Sequence, residues 1–123
     1  MAPILLYSAS VIIFIWGISH IIPTRAIVHG FGKLSADNQN ILIMEWVAEG
    51  VTLVFIGLLV GTVEWQFGVN AVSIFVFRFC AGMLMVMALW TLLTGARTSN
   101  PSFKICPIVK TVCAAMICWA TMC

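Results

Sequence analysis

The sequence predicts an all-α fold: an integral membrane bundle of four transmembrane helices, with a short interfacial helix between the first and the second. Three observations predict it. Hydrophobic residues make up 63% of the 123 positions and charged residues only 8%, where a soluble domain carries roughly 25% charged residues. Mean hydropathy is +1.14, so lipid is the expected main solvent. Apolar runs at 3–22, 41–63, 69–93 and 103–123 each reach the span of about 20 residues that a membrane-crossing helix needs. These four runs nearly fill one domain, 1–123, and leave no room for a soluble one.

The first run, 3–22, has no Lys or Arg before it and is longer than the core of a signal peptide, so it is expected to be a retained helix. Pro23 stops it, since proline in a helix interior removes a donor and clashes with the preceding turn. In 23–34, Arg25, His29 and Lys33 recur every four residues on one face, with Ile27, Val28, Phe31 and Leu34 on the other. That pattern predicts an interfacial helix whose basic stripe faces anionic headgroups. Gly30 and Gly32 weaken its second half.

A polar run from Ser35 to Asn40 precedes the second span, 41–63, and Asp37 or Asn38 is the expected N-cap. Gly57 and Gly61 form a small-x-x-x-small pair there, and Gly50 extends the stripe one heptad earlier. Such a stripe allows close helix approach, and packing within the bundle is expected ahead of a dimer contact. Met83, Met85 and Met87 in the third span, 69–93, are read as core filling. The fourth span, 103–123, begins between Phe103 and Pro107.

Loop charges set the expected orientation. Arg25 and Lys33 lie in the first loop, Arg97 and Lys104 in the third, and the second carries only Glu64. By the positive-inside rule the first and third loops face the cytoplasm and both termini face outward. Trp65, Trp119 and Tyr7 then fall near the outer interface and Trp90 near the inner one.

The cysteines are Cys80, Cys106, Cys113, Cys118 and Cys123, without a C-x-x-C pair, and are read as small apolar packing residues. No metal-binding spacing, phosphate loop or nucleophile motif occurs. No metal site and no catalytic residue are therefore assigned. The net charge of +2 is too small to suggest nucleic acid. Neither a myristoylation nor a prenylation signal is present.

Three charges sit inside apolar runs: Glu49, Arg78 and Lys110. Each costs about 3 kcal/mol at bilayer depth on insertion scales, so mutual pairing inside the bundle is expected. Glu45 and Glu49 share a helix face. A rise of about 1.5 Å per residue brings His20, Glu45, Glu49, Arg78 and Lys110 into the cytoplasmic half of the bundle. The expected pair is Arg78–Glu49, with Lys110 and His20 near Glu45. Two carboxylates and two permanent cations cancel, which a buried cluster requires.

The order Gly17-x-x-His20-x-x-Pro23, then Gly30-Phe31-Gly32, then Glu45 and Glu49-Gly50, resembles the DoxX-like group of small four-helix prokaryotic membrane proteins. The resemblance implies an accessory membrane subunit or a role close to quinone. The His20, Glu45 and Glu49 set is also similar in kind to the sterol-isomerase type of bundle, where a histidine and carboxylates line a membrane cavity.

The leading expectation is a non-catalytic accessory or structural subunit of a larger membrane complex, because no catalytic motif is present. The alternative is a lipid- or quinone-binding membrane enzyme or module built on the polar cluster. A cavity of several hundred Å³ beside Glu49 would favour the alternative. No cofactor is expected other than a quinone or lipid in that second case. The expected partners are the bilayer and other membrane subunits or a second copy. The expected location is a prokaryotic cytoplasmic membrane.

Overall fold

Each long helix begins where the sequence offers its backbone a partner or a proline. The computed structural model describes residues 1–122. Helix α1, Ala2–Ile21, carries Pro3 in its first turn, where a missing N–H costs nothing. Helix α2, Thr24–His29, follows Pro23 and is only six residues long. Gly32 adopts a left-handed φ of 84°, which ends any continuation. Of the expected interfacial helix 23–34, only the first half forms. Arg25 and His29 lie on it, exposed, and Lys33 falls in the bend beyond.

Helix α3, Ala36–Phe67, is 32 residues long, about 48 Å at the usual rise and more than a hydrocarbon core of about 30 Å. It starts ahead of the apolar run because Ser35, rather than Asp37 or Asn38, is its cap. The Ser35 hydroxyl accepts the Asn38 N–H at 3.2 Å. Gly68, at φ 61°, closes the helix. Asn70 then opens helix α4, Ala71–Leu93, with a reciprocal capping box. Its side-chain carbonyl accepts from Val72 and Ser73 N–H, and the Ser73 hydroxyl accepts from the Asn70 N–H. A short 3₁₀ turn, Gly95–Arg97, leads to helix α5, Pro101–Ala120, capped by Asn100. Pro107 lies buried inside α5 instead of at its start. Of the fourth predicted span, Cys123 lies outside the described residues.

Helix α1 is the centre of the arrangement. It packs along α3 on one side and α5 on the other, α4 packs on α5, and α2 folds back on α3. The glycine stripe makes the α1–α3 contact close. A Cβ on Gly17 would stand 2.7 Å from the Gly50 carbonyl oxygen, and one on Gly57 would stand 2.8 Å from the Ser10 carbonyl oxygen. Gly61 sits against the Ser10 hydroxyl, which donates to the Gly57 carbonyl at 2.7 Å. Gly50, Gly57 and Gly61 thus all face α1. Leu6, Ile13, Leu53, Val60, Phe77, Leu84, Cys113 and Ile117 form the apolar core of the four long helices.

The first and third loops meet at one end, where the Phe31 and Phe103 rings lie 6.5 Å apart. Arg25, Lys33, Arg97 and Lys104 therefore gather at the same end of the bundle. Consecutive helices α3 and α4 pack on each other only slightly. The open side of the bundle lies between them.

Candidate functional site

Three helices bring a polar cluster together near the basic end. His20 is in the last turn of α1, Glu49 in the first half of α3, and Cys106 and Lys110 one turn apart on α5. Lys110 is 0% exposed and forms an ion pair with Glu49, whose side chain is 27% exposed. Its ammonium also donates to the Thr91 hydroxyl of α4 at 2.9 Å. Thr91 can accept because its own proton goes to the Met87 carbonyl.

Behind this pair sits Cys106. Its Sγ lies 3.5 Å from His20 Nε2 and 3.8 Å from Glu49 Oε1, and it accepts the Trp16 indole N–H at 3.5 Å. His20 Nδ1 lies 2.9 Å from the Trp16 carbonyl oxygen. A carbonyl only accepts, so Nδ1 carries a proton, and in the neutral ring the Nε2 lone pair faces the sulfur. The imidazole stacks on Trp46 with centroids 5.3 Å apart and meets Trp16 edge-on at 5.7 Å.

The expected Arg78–Glu49 pair does not form. Arg78 is exposed on α4 and donates to the Thr121 carbonyl at 3.1 Å. That carbonyl lies just past the C-terminal end of α5, where a cation is favoured. Lys110 takes the place assigned to Arg78, and its partner is Glu49 rather than Glu45. Nor is His20 beside Glu45: it faces Cys106 and Trp46. Glu45 is exposed at the mouth of the cleft described below. Cys80 and Cys113 are buried in the apolar core, as expected of packing residues, while Cys106 belongs to the polar cluster. Reading each cysteine alone missed it. The available signal was Cys106 one turn before Lys110, on the same face of α5.

Glu49 also faces a cleft of about 480 Å³ on the open side of the bundle, lined among others by Glu45, Trp46, Trp90, Thr91 and Phe103. At Thr52 the cleft adjoins an apolar stretch of about 390 Å³ between Phe55, Leu59, Phe75, Phe79 and Met83. At Val76 that stretch adjoins a third, of about 320 Å³, reaching Phe67 and Val72. The groove is polar and aromatic at the basic end and apolar from there on. Trp46 carries a buried indole N–H that has no hydrogen-bond partner among the described residues.

No protein family, curated protein or solved structure matches this chain. Among the described residues, four helices are long and apolar enough to cross a membrane, and the chain is a small integral membrane protein.

Proposed function

We propose that this protein binds a single-tailed, electrically neutral membrane amphiphile in the α3–α4 groove, an isoprenoid quinone by class. The observation that carries the reading is the groove itself, with its change from polar to apolar along its length. Its polar end has two carboxylates, Glu45 and Glu49, and its nearest ammonium is already engaged by Glu49. Within the cleft an anionic headgroup would face those two carboxylates and no Lys or Arg of the lining. A flat carbonyl-bearing ring suits the walls of Trp46, Trp90 and Phe103, with the Thr94 hydroxyl also in the lining. From Val72 to Trp90 the groove follows α4 for about 27 Å, nearly twice one leaflet of roughly 15 Å, half the usual core. A polyisoprenoid tail fills that length, whereas an ordinary acyl chain ends near the midplane.

A soluble short-tailed quinone added to detergent-purified protein should quench tryptophan emission saturably. Thr52→Trp, which fills the throat between the head cleft and the tail groove, should abolish saturation. Linear quenching that is the same in both proteins would exclude this reading.

A role as accessory subunit of a larger membrane complex is the second reading. The short links at 68–70 and 98–100 favour it, since they leave no internal extramembrane domain to act alone. Extraction from native membranes in mild detergent tests it: a larger assembly supports the reading, and a lone chain counts against it.

A further inference from the structure

We propose that His20, Glu49 and Cys106 form a binding site for a borderline divalent metal ion of the zinc class. Their ligand atoms all lie within 4.8 Å of one another, on three different helices. Tetrahedral zinc, with bonds of about 2.3 Å to sulfur and 2.0–2.2 Å to nitrogen and oxygen, sets S···N and S···O separations of about 3.5 Å. The sulfur here is 3.5 Å from Nε2 and 3.8 Å from Oε1. Rotation of the partly exposed Glu49 side chain closes the remaining gap.

Hydrogen bonding alone accounts poorly for the trio. Sγ faces two acceptors, and a single S–H proton serves only one of them. A cation at their common centre satisfies all three. The surroundings also match those of a ligated set. His20 donates its other ring N–H to a backbone carbonyl, which fixes the tautomer that ligating histidines use. The Trp16 N–H on Sγ is the kind of donor that steadies a thiolate.

Lys110 is the competing cation. When an ion takes Glu49 Oε1, the ammonium keeps Thr91 and must shift from Oε1 to the second carboxylate oxygen. Binding then converts the thiol to a thiolate and releases one proton to solvent. The fourth coordination position goes to water or another oxygen ligand. Motif spacing gave no hint of this set, because its members lie 29 and 57 positions apart. The inference does not depend on what fills the groove, since only Glu49 of the three lines it.

The test uses Co²⁺ alone, added to reduced, delipidated, full-length protein in detergent. We expect a near-ultraviolet thiolate-to-cobalt band that saturates at one equivalent and is displaced by Zn²⁺. Cys106→Ser should lose it, with its helical circular dichroism unchanged. A variant with Cys80, Cys113, Cys118 and Cys123 all changed to Ser should keep it. Absence of the band in the parent protein, or its persistence in Cys106→Ser, would overturn the proposal. Neither result bears on quinone quenching, so the two readings fail separately.

Discussion

Lys110 shows what a fully buried charge demands. Its ammonium has Glu49 and Thr91 as partners and no solvent. Changing Lys110 to Met should strand the Glu49 carboxylate and destabilise by about 3–5 kcal/mol. Adding Glu49→Gln to Lys110→Met should recover much of that, as read by denaturant unfolding in detergent. Arg78→Met, by contrast, removes one exposed bond to a helix end and should cost about 1 kcal/mol, with no coupling to Glu49 in a double-mutant cycle. The sequence showed that Glu49 and a cation must meet, and at what depth, because depth follows from counting residues. It did not show which cation. Helices α3 and α4 are apolar around most of their circumference, so nothing in the pattern marks which way Arg78 points. Exposure and a free carbonyl at Thr121 decide it.

Among the helices, the α1–α3 contact is the tightest and the easiest to break. Gly57→Ala would place a methyl 2.8 Å from the Ser10 carbonyl oxygen and 2.9 Å from the Phe14 nitrogen. Backbone cannot move aside as a flexible side chain can, so a loss of about 1–3 kcal/mol is expected. Gly82→Ala on α4 meets nothing within 4 Å and should be neutral or gain up to about 1 kcal/mol from helix propensity. Comparing thermal unfolding of the two variants checks this. The glycine pattern was legible because close approach requires small residues at one-turn spacing. Helix ends were less so. The polar stretch before residue 41 reads as loop by hydropathy, yet Ser35 caps it into α3. Pro107 reads as a helix start, but Asn100 and Pro101 supply a better one upstream.

Taken whole, the molecule has a basic end, an opposite end holding Glu64 and both described termini, and one open side. We expect the basic end in the cytoplasm. With the native cysteines replaced by serine, an impermeant maleimide added outside intact cells should label Gln66→Cys and spare Ser99→Cys. The reverse pattern would invert the orientation. The open side was not legible in the sequence, because adjacency along the chain suggests that α3 and α4 pack together. They are instead joined at Gly68–Asn70, pack on each other only slightly, and flank the groove between them. Among the described residues, the only polar link across that gap is the Lys110 ammonium, which holds Glu49 of α3 and Thr91 of α4 at once. Mechanically this is a pair of tweezers with a sprung hinge and a single rivet between the blades. Packing through α1 and α5 sets the resting gap, and the ammonium is the polar tie across it, so whatever draws it away loosens the jaws, and spin labels at Ala48 and Val86 should report a broader distance distribution in Lys110→Met.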